Sequence, residues 1–269
     1  MLQTPGDSLK SYALNQLQRA IACLTWRGSR AHAGVHQARK SMRRARACLA
    51  MGESDLGAGA KMIDRELSKI CESLSSLRDA QARVESLDRL IADRSNDVES
   101  ESRSCLMAAK RLAMLARADA MRKEQAIDPN FLTRSERLRM LEAALPVLPW
   151  QHLGSAILTA AIHKTLQACD TAAEKALSSG KEHDWHRLRR RRRRLAQQYT
   201  ALEHSGIQLL GIGELDRKLG NLLGEAQDIL VLGEFFKNHR GLSIENSLML
   251  RRFLKLQFKH LSSEAMATR

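Results

Sequence analysis

Proline, cysteine, aromatic residues and long apolar runs are all scarce in this chain, and each scarcity excludes something. Four prolines in 269 residues leave long stretches free to run as helix, because proline removes a backbone donor and breaks the helical ladder. Cys23, Cys48, Cys71, Cys105 and Cys169 stand singly, are odd in number and form no C-x-x-C pair. They fit neither a disulfide framework nor a cysteine zinc site, and read as small buried hydrophobes of a reducing compartment. Three Trp, two Tyr and five Phe make an aromatic fraction of 4%. That offers few of the stacking platforms that grip single-stranded nucleic acid. No stretch approaches about 18 uninterrupted apolar residues, and the N-terminus lacks the apolar core of a signal peptide. Neither a membrane span nor secretion is expected, and the expected location is cytoplasmic.

Acidic residues are the most telling shortage. Forty-four Lys and Arg face 30 Asp and Glu, for a formal charge of +14. Between Asp7 and Glu53 there is no acid at all, while Lys10, Arg19, Arg27, Arg30 and a run of further cations fall there. Such an excess attracts polyanions: nucleic acid, polyphosphate or an acidic surface.

Within this field one basic pattern occurs twice. The first copy is His36, Arg39, Lys40, Arg43, Arg44, with Arg46 just beyond; the second is His186, Arg189, Arg190, Arg193, Arg194. Both read H-x-x-R-[K/R]-x-x-R-R, 150 residues apart. At roughly 100° per residue the offsets 0, 3, 4, 7 and 8 keep five side chains within an arc of about 140°. The opposite sides carry Ala38, Met42, Ala45 and Leu49, and Leu188, Leu195, Tyr199 and Leu202. Each segment is therefore an amphipathic helix with an apolar stripe on a core and a cationic stripe facing out or lining a groove. A solvated helix face normally mixes acids with bases at four-residue spacing. These faces do not, so their repulsion calls for an anion. Arg191 and Arg192 fall at about 140° and 240° from His186 and belong outside the main face.

A second element recurs. Leu74-x-x-x-Arg78-Asp79 places its acid 43 residues after His36, and Leu223-x-x-x-Gln227-Asp228 places its acid 42 after His186. The near-equal spacing predicts an internal duplication. Asp79 and Asp228 read as structural acids that accept from an arginine of the basic helices, Arg78 as an addition to the cationic lining, and His163–Lys164 as a further lining pair. The helical pattern predicts segments near 8–26, 31–50, 58–93, 97–124, 150–179, 183–205, 212–238 and 243–264, with a short one near 134–145. Asp7–Ser8 is the expected first cap; Ser178–Ser179–Gly180 and Gly206 are expected stops. The expected class is all-α: two four-helix bundles related by a pseudo-twofold repeat, over 1–127 and 150–269, with 128–149 as connector.

The four motifs, in this order over about residues 8–265, resemble the CHAD family, the conserved histidine α-helical domain. The resemblance implies an all-helical protein of two pseudo-symmetric four-helix bundles that binds inorganic polyphosphate in a basic cavity between the halves. It also implies an association with polyphosphate granules. Many relatives carry a triphosphate-tunnel (CYTH) domain, but no E-x-E-x-K signature occurs here, which reads as the stand-alone form. The ligand contacts would be His36, Arg39, Lys40, Arg43, Arg44, Arg46, His186, Arg189, Arg190, Arg193 and Arg194, with no cofactor and no metal. No glycine-rich phosphate loop, G-x-S-x-G, H-E-x-x-H or acidic cluster for metal-assisted phosphoryl transfer is present. A non-catalytic binder is expected. A nucleic-acid binder, an adaptor for acidic proteins and a phosphoanhydride-processing enzyme are the alternatives.

Binding through these faces must follow counterion release. Affinity for a polyphosphate should fall steeply between about 50 and 200 mM salt, with a log–log slope of about −0.7 or steeper per phosphate neutralised. A titration series whose affinity ignores salt would contradict the ion-pairing mechanism.

Overall fold

A computed structural model describes residues 4–92, 100–207, 214–237 and 241–267. The described chain forms α1 (Pro5–Leu24), α2 (Ala31–Met51), α3 (Gly57–Ser73), α4 (Ser75–Ala92), α5 (Ser100–Ile127), α6 (Leu132–Ala144), α7 (Ser155–Ser179), α8 (Glu182–His204), α9 (Glu214–Lys237) and α10 (Ile244–Ala267), with short 3-10 turns between some of them. It is all-helical, as the sparse proline and the helical periodicity predict. The first turns expected from residues 97 and 212, and the last expected residue of the 212–238 segment, lie outside the described residues.

Two local expectations need correction. The first cap is Thr4, not Asp7–Ser8: Thr4 Oγ1 accepts from the Asp7 N–H at 3.1 Å, with Pro5 at the start of the helix. Proline fits there because its missing donor falls among groups that have no intrahelical partner. The helix expected over 58–93 is two helices, broken at Leu74. Serines flank the break, and the Ser73 and Ser75 hydroxyls donate to the carbonyls of Ile70 and Glu72. Such back-bonds offer the chain an alternative to the helical ladder. At the other end of the chain the expected stops stand: Gly180 and Gly206 take left-handed φ of +62° and +75° after α7 and α8.

Contacts divide the chain into two compact units that cross the sequence halves. Unit 1 holds residues 1–75 and 127–216, and unit 2 holds 76–126 and 217–269. The division expected at 127 and 150 follows the chain, whereas each unit takes segments from both sides of it. Equivalent elements of the two halves share a unit: both basic helices lie in unit 1, and both [R/Q]-Asp pairs, Arg78–Asp79 and Gln227–Asp228, in unit 2, with Leu74 of the first element still in unit 1.

In unit 1, α1 packs against α2, and α7 against α8; α2 also packs on α3, α7 and α8. Gly34 lets α2 approach α1 closely, since a Cβ there would sit 2.4 Å from the Cys23 carbonyl oxygen. The apolar stripe of α2 is fully used, with Ala38, Met42, Ala45 and Leu49 at 2% exposure or less. On α8, Leu188, Leu195 and Leu202 are buried while Tyr199 is only half so. The short helix α6 joins this packing rather than acting as a bare connector. Gln18 of α1 donates to Glu142, and Arg137 pairs with Glu66 of α3 at 2.6 Å. Unit 2 is a four-helix bundle of α4, α5, α9 and α10. Its core includes Val84, Leu87, Leu106, Ala109, Ile229, Leu232, Phe236, Leu250 and Leu254. All five cysteines are buried and none forms a disulfide.

The chain leaves unit 1 after Ser75 and returns at Ile127, and one ion pair ties the two crossing points together. Asp128 accepts from the Thr133 and Arg134 N–H groups at 2.9 and 3.3 Å and from Arg134 Nη1 at 2.8 Å. The same guanidinium donates through Nε to Ser73 Oγ at 2.9 Å. Burial alone would raise the Asp128 pKa, but the two backbone donors and Arg134 hold it below the ordinary value of 3.8. Its stabilising contribution is thus fully present above that value and lost as pH falls through the lowered folded one. Asp128→Asn should cost about 1–3 kcal/mol at neutral pH in urea unfolding. The deficit should close in strong acid, where both proteins carry a neutral side chain. A deficit that stays constant down to the acid limit would contradict this account.

A candidate anion-binding site on two basic helices

The duplicated basic pattern splits in the same way on both helices. Each doublet has a first and a second member about 100° apart. The first members, Arg39, Arg43, Arg189 and Arg193, are half-buried. The second members, Lys40, Arg44, Arg190 and Arg194, have no hydrogen-bond or ion-pair partner among the described residues, and all but Arg44 are exposed. His36 is half-buried and His186 exposed. Inner arginines therefore sit at the packed edge of each helix, and outer cations project beside them.

The two helices are in contact, and their cations come together. Arg39, Arg43 and Arg46 of α2 and Arg193 of α8 all act on the thiol of Cys71 on α3. Burial pushes that thiol's pKa up, and these four guanidinium groups pull against it. Beside them, α2, α3 and α8 enclose a cleft of about 450 Å³. Arg46 and Arg194 line it together with Glu53, Lys61, Asp64 and Arg65. The two basic helices come one from each sequence half, and both belong to unit 1.

On its other side α2 meets α1. Lys40 is held below the ordinary lysine value of 10.5 by partial desolvation, then by repulsion from Arg44, Arg19 and Arg43. Arg19 is a cation of α1 that sequence reasoning did not place at the site. Its signal was there: it falls in the acid-free stretch before residue 53.

Other expected site residues fall elsewhere or are already engaged. Arg46 is paired in a two-point fork, Nε to Asp64 Oδ1 at 2.8 Å and Nη2 to Oδ2 at 3.1 Å. Arg78, expected as lining, is instead the donor to both structural acids: Nη1 reaches Asp79 at 3.1 Å and Nη2 reaches Asp228 at 2.8 Å. Asp228 also lies 3.5 Å from Arg89. These pairs are internal to unit 2, where the arginine of one repeat element meets the acid of the other. The expected bond from Asp79 to a basic helix is thus replaced by one to its own neighbour Arg78. Lys164 and His163 are exposed on α7. Arg191 and Arg192 stand off the main face as expected and reach α7. Arg191 donates to the Ala168 carbonyl at 2.6 Å, and Arg192 lies 3.7 Å from Asp170. Among the described residues no group of three or more His, Cys, Asp or Glu is placed to hold a metal ion, and no helix is long and apolar enough to cross a membrane.

Fold and site together define an all-helical domain built round two histidine-headed cationic helices. The chain belongs to the CHAD domain family, whose model matches residues 11–237. Among solved structures it is similar to PptA from Streptomyces chartreusis, with a TM-score of 0.67 and 18% identity over 98% of this chain and 96% of that one. It is also similar to the CHAD domain from the plant Ricinus communis, with a TM-score of 0.53 and 16% identity over 99% and 93%. At these identities the likeness is one of fold. Comparison with curated proteins returns no match.

The depressed Lys40 gives a direct test of the repulsion. Its charged form is disfavoured in the fold, so the penalty is present below the lowered folded pKa and disappears as pH rises towards 10.5. Lys40→Gln should raise the thermal midpoint at neutral pH and low salt, and added salt should shrink the gain. A lower midpoint would mean that the lysine stabilises the free protein.

Proposed function

We propose that this protein binds inorganic polyphosphate along the joined cationic faces of α2 and α8, without cutting it. The observation that carries the reading is the set of unpaired cations Lys40, Arg44, Arg190 and Arg194 beside four half-buried arginines on helices in mutual contact. Polyphosphate is a flexible chain with about one charge per phosphate and no bases to read. Guanidinium forks suit its oxygens, and a lysine supplies a point charge. The choice of polyphosphate over other polyanions rests on membership of the CHAD family. A cytoplasmic place at polyphosphate granules belongs to the same proposal, as does the absence of any required cofactor. The surface has few rings for stacking bases, which disfavours single-stranded nucleic acid.

Long-chain polyphosphate should outcompete duplex and single-stranded oligonucleotides of matched charge at physiological salt. Preference for either oligonucleotide would replace this reading with nucleic-acid binding. Shortening of the polyphosphate on incubation with the protein and a divalent metal would replace it with an enzyme. Changing Lys40 and Arg44, or Arg190 and Arg194, to Gln should lower affinity at least about tenfold, roughly 1.4 kcal/mol. Arg122→Gln with Lys123→Gln removes the same charge from an exposed turn of α5, where both pair with Asp119. That control should lose far less; equal losses would reduce the site to bulk charge.

A further inference from the structure

We infer that Asp64 is a built-in counter-anion that occupies the Arg46 fork in place of a ligand phosphate, and so limits how far the anion track extends along α2. The inference rests on the polyphosphate reading above and deepens it. Arg46 lies three residues beyond Arg43 on α2 and shares its cleft with Arg194, so a phosphate held by Arg194 would arrive beside it. Its fork is already filled. Each carboxylate oxygen takes one nitrogen, at 2.8 and 3.1 Å, which is the in-plane two-point geometry by which a guanidinium takes a phosphate. Carboxylate and phosphate are therefore competitors for the same donors. The pair is only partly exposed, 22% for Arg46 and 33% for Asp64, so water screens it weakly.

Three comparisons single this pair out. The outer cations Lys40 and Arg44 on the same helix have no described acid partner. The cleft's other acid, Glu53, lies 3.9 Å from Lys61, and both side chains are more than 60% exposed, a loose arrangement that an arriving anion displaces at little cost. The second basic helix has no equivalent: the residue ten beyond His186 is Ala196. Counter-anion control thus acts at one end of the track only.

The test is a double-mutant cycle with long-chain polyphosphate as the probe. Asp64→Asn should tighten binding about threefold or more, the size of a partly exposed ion pair. It should also steepen the log–log salt slope by about 0.7, one further phosphate neutralised. Arg46→Ala should change wild-type affinity less than about twofold, yet abolish the gain when added to Asp64→Asn. Glu66→Gln removes the same charge from α3, where Glu66 pairs with Lys69 and Arg137, and should reproduce little of the gain. An Asp64→Asn affinity equal to that of Glu66→Gln, or weaker than wild type, overturns the inference while leaving polyphosphate binding intact. Absence of binding by wild type and variant alike overturns the reading beneath it as well. Should Asp64→Asn fail to fold, Arg46→Ala alone decides: a loss above about threefold places Arg46 on the ligand already and overturns the inference.

Discussion

Two helices that repel each other through their charges are held together in unit 1, and the rest of the site depends on how that conflict is settled. Like charges three and four residues apart cost a few tenths of a kcal/mol per pair on an exposed helix. Burying one large aliphatic side chain contributes about 1.5–3 kcal/mol. Met42 and Leu49 on α2, and Leu188, Leu195 and Leu202 on α8, are all buried. The apolar side of each helix therefore outweighs the cationic side, and the unit folds although Lys40, Arg44, Arg190 and Arg194 have no acid partner among the described residues. What remains is a positive field around these outer cations.

The same balance explains which charges are spent inside the protein. Where a cation is drawn into the packing it acquires an acid or a carbonyl: Arg134 with Asp128, Arg78 with Asp79 and Asp228, Arg191 with the Ala168 carbonyl. These contacts fix helix against helix. Arg134 does so at the most exacting place, tying the turn at Ser73 to the loop at Asp128, on either side of the α4–α5 excursion into unit 2. The side chains of Arg134 and Asp128 are 11% and 5% exposed, so breaking the pair would leave an uncompensated buried charge.

Much of this was legible in the sequence. The offsets 0, 3, 4, 7 and 8 located both basic helices, and the apolar residues opposite them, Tyr199 apart, are buried in the core. The near-equal His-to-Asp spacing marked elements that do meet, Arg78 of the first with Asp228 of the second. The break at Leu74 was missed because Leu67, Ile70, Leu74 and Leu77 keep a helical rhythm straight through it. The competing signal lay in the serines on either side of Leu74, of which Ser73 and Ser75 bond back onto the preceding turn. Thr4 was likewise passed over as a cap in favour of the acid one turn later.

The sequence by itself determined the all-helical class, the two cationic stripes and the apolar stripes behind them. These follow from side chains three and four residues apart on one helix, a geometry the backbone imposes locally. Only the tertiary structure decided that both basic helices share a unit, that Arg78 serves the acids and not the site, and that Arg46 is held by Asp64 while Lys40 and Arg194 stand unpaired. Ion pairs form between groups brought within a few ångströms, and their partners here lie 18 residues away for Arg46 and 150 for Arg78. No local period records such a meeting, because it depends on how whole helices pack.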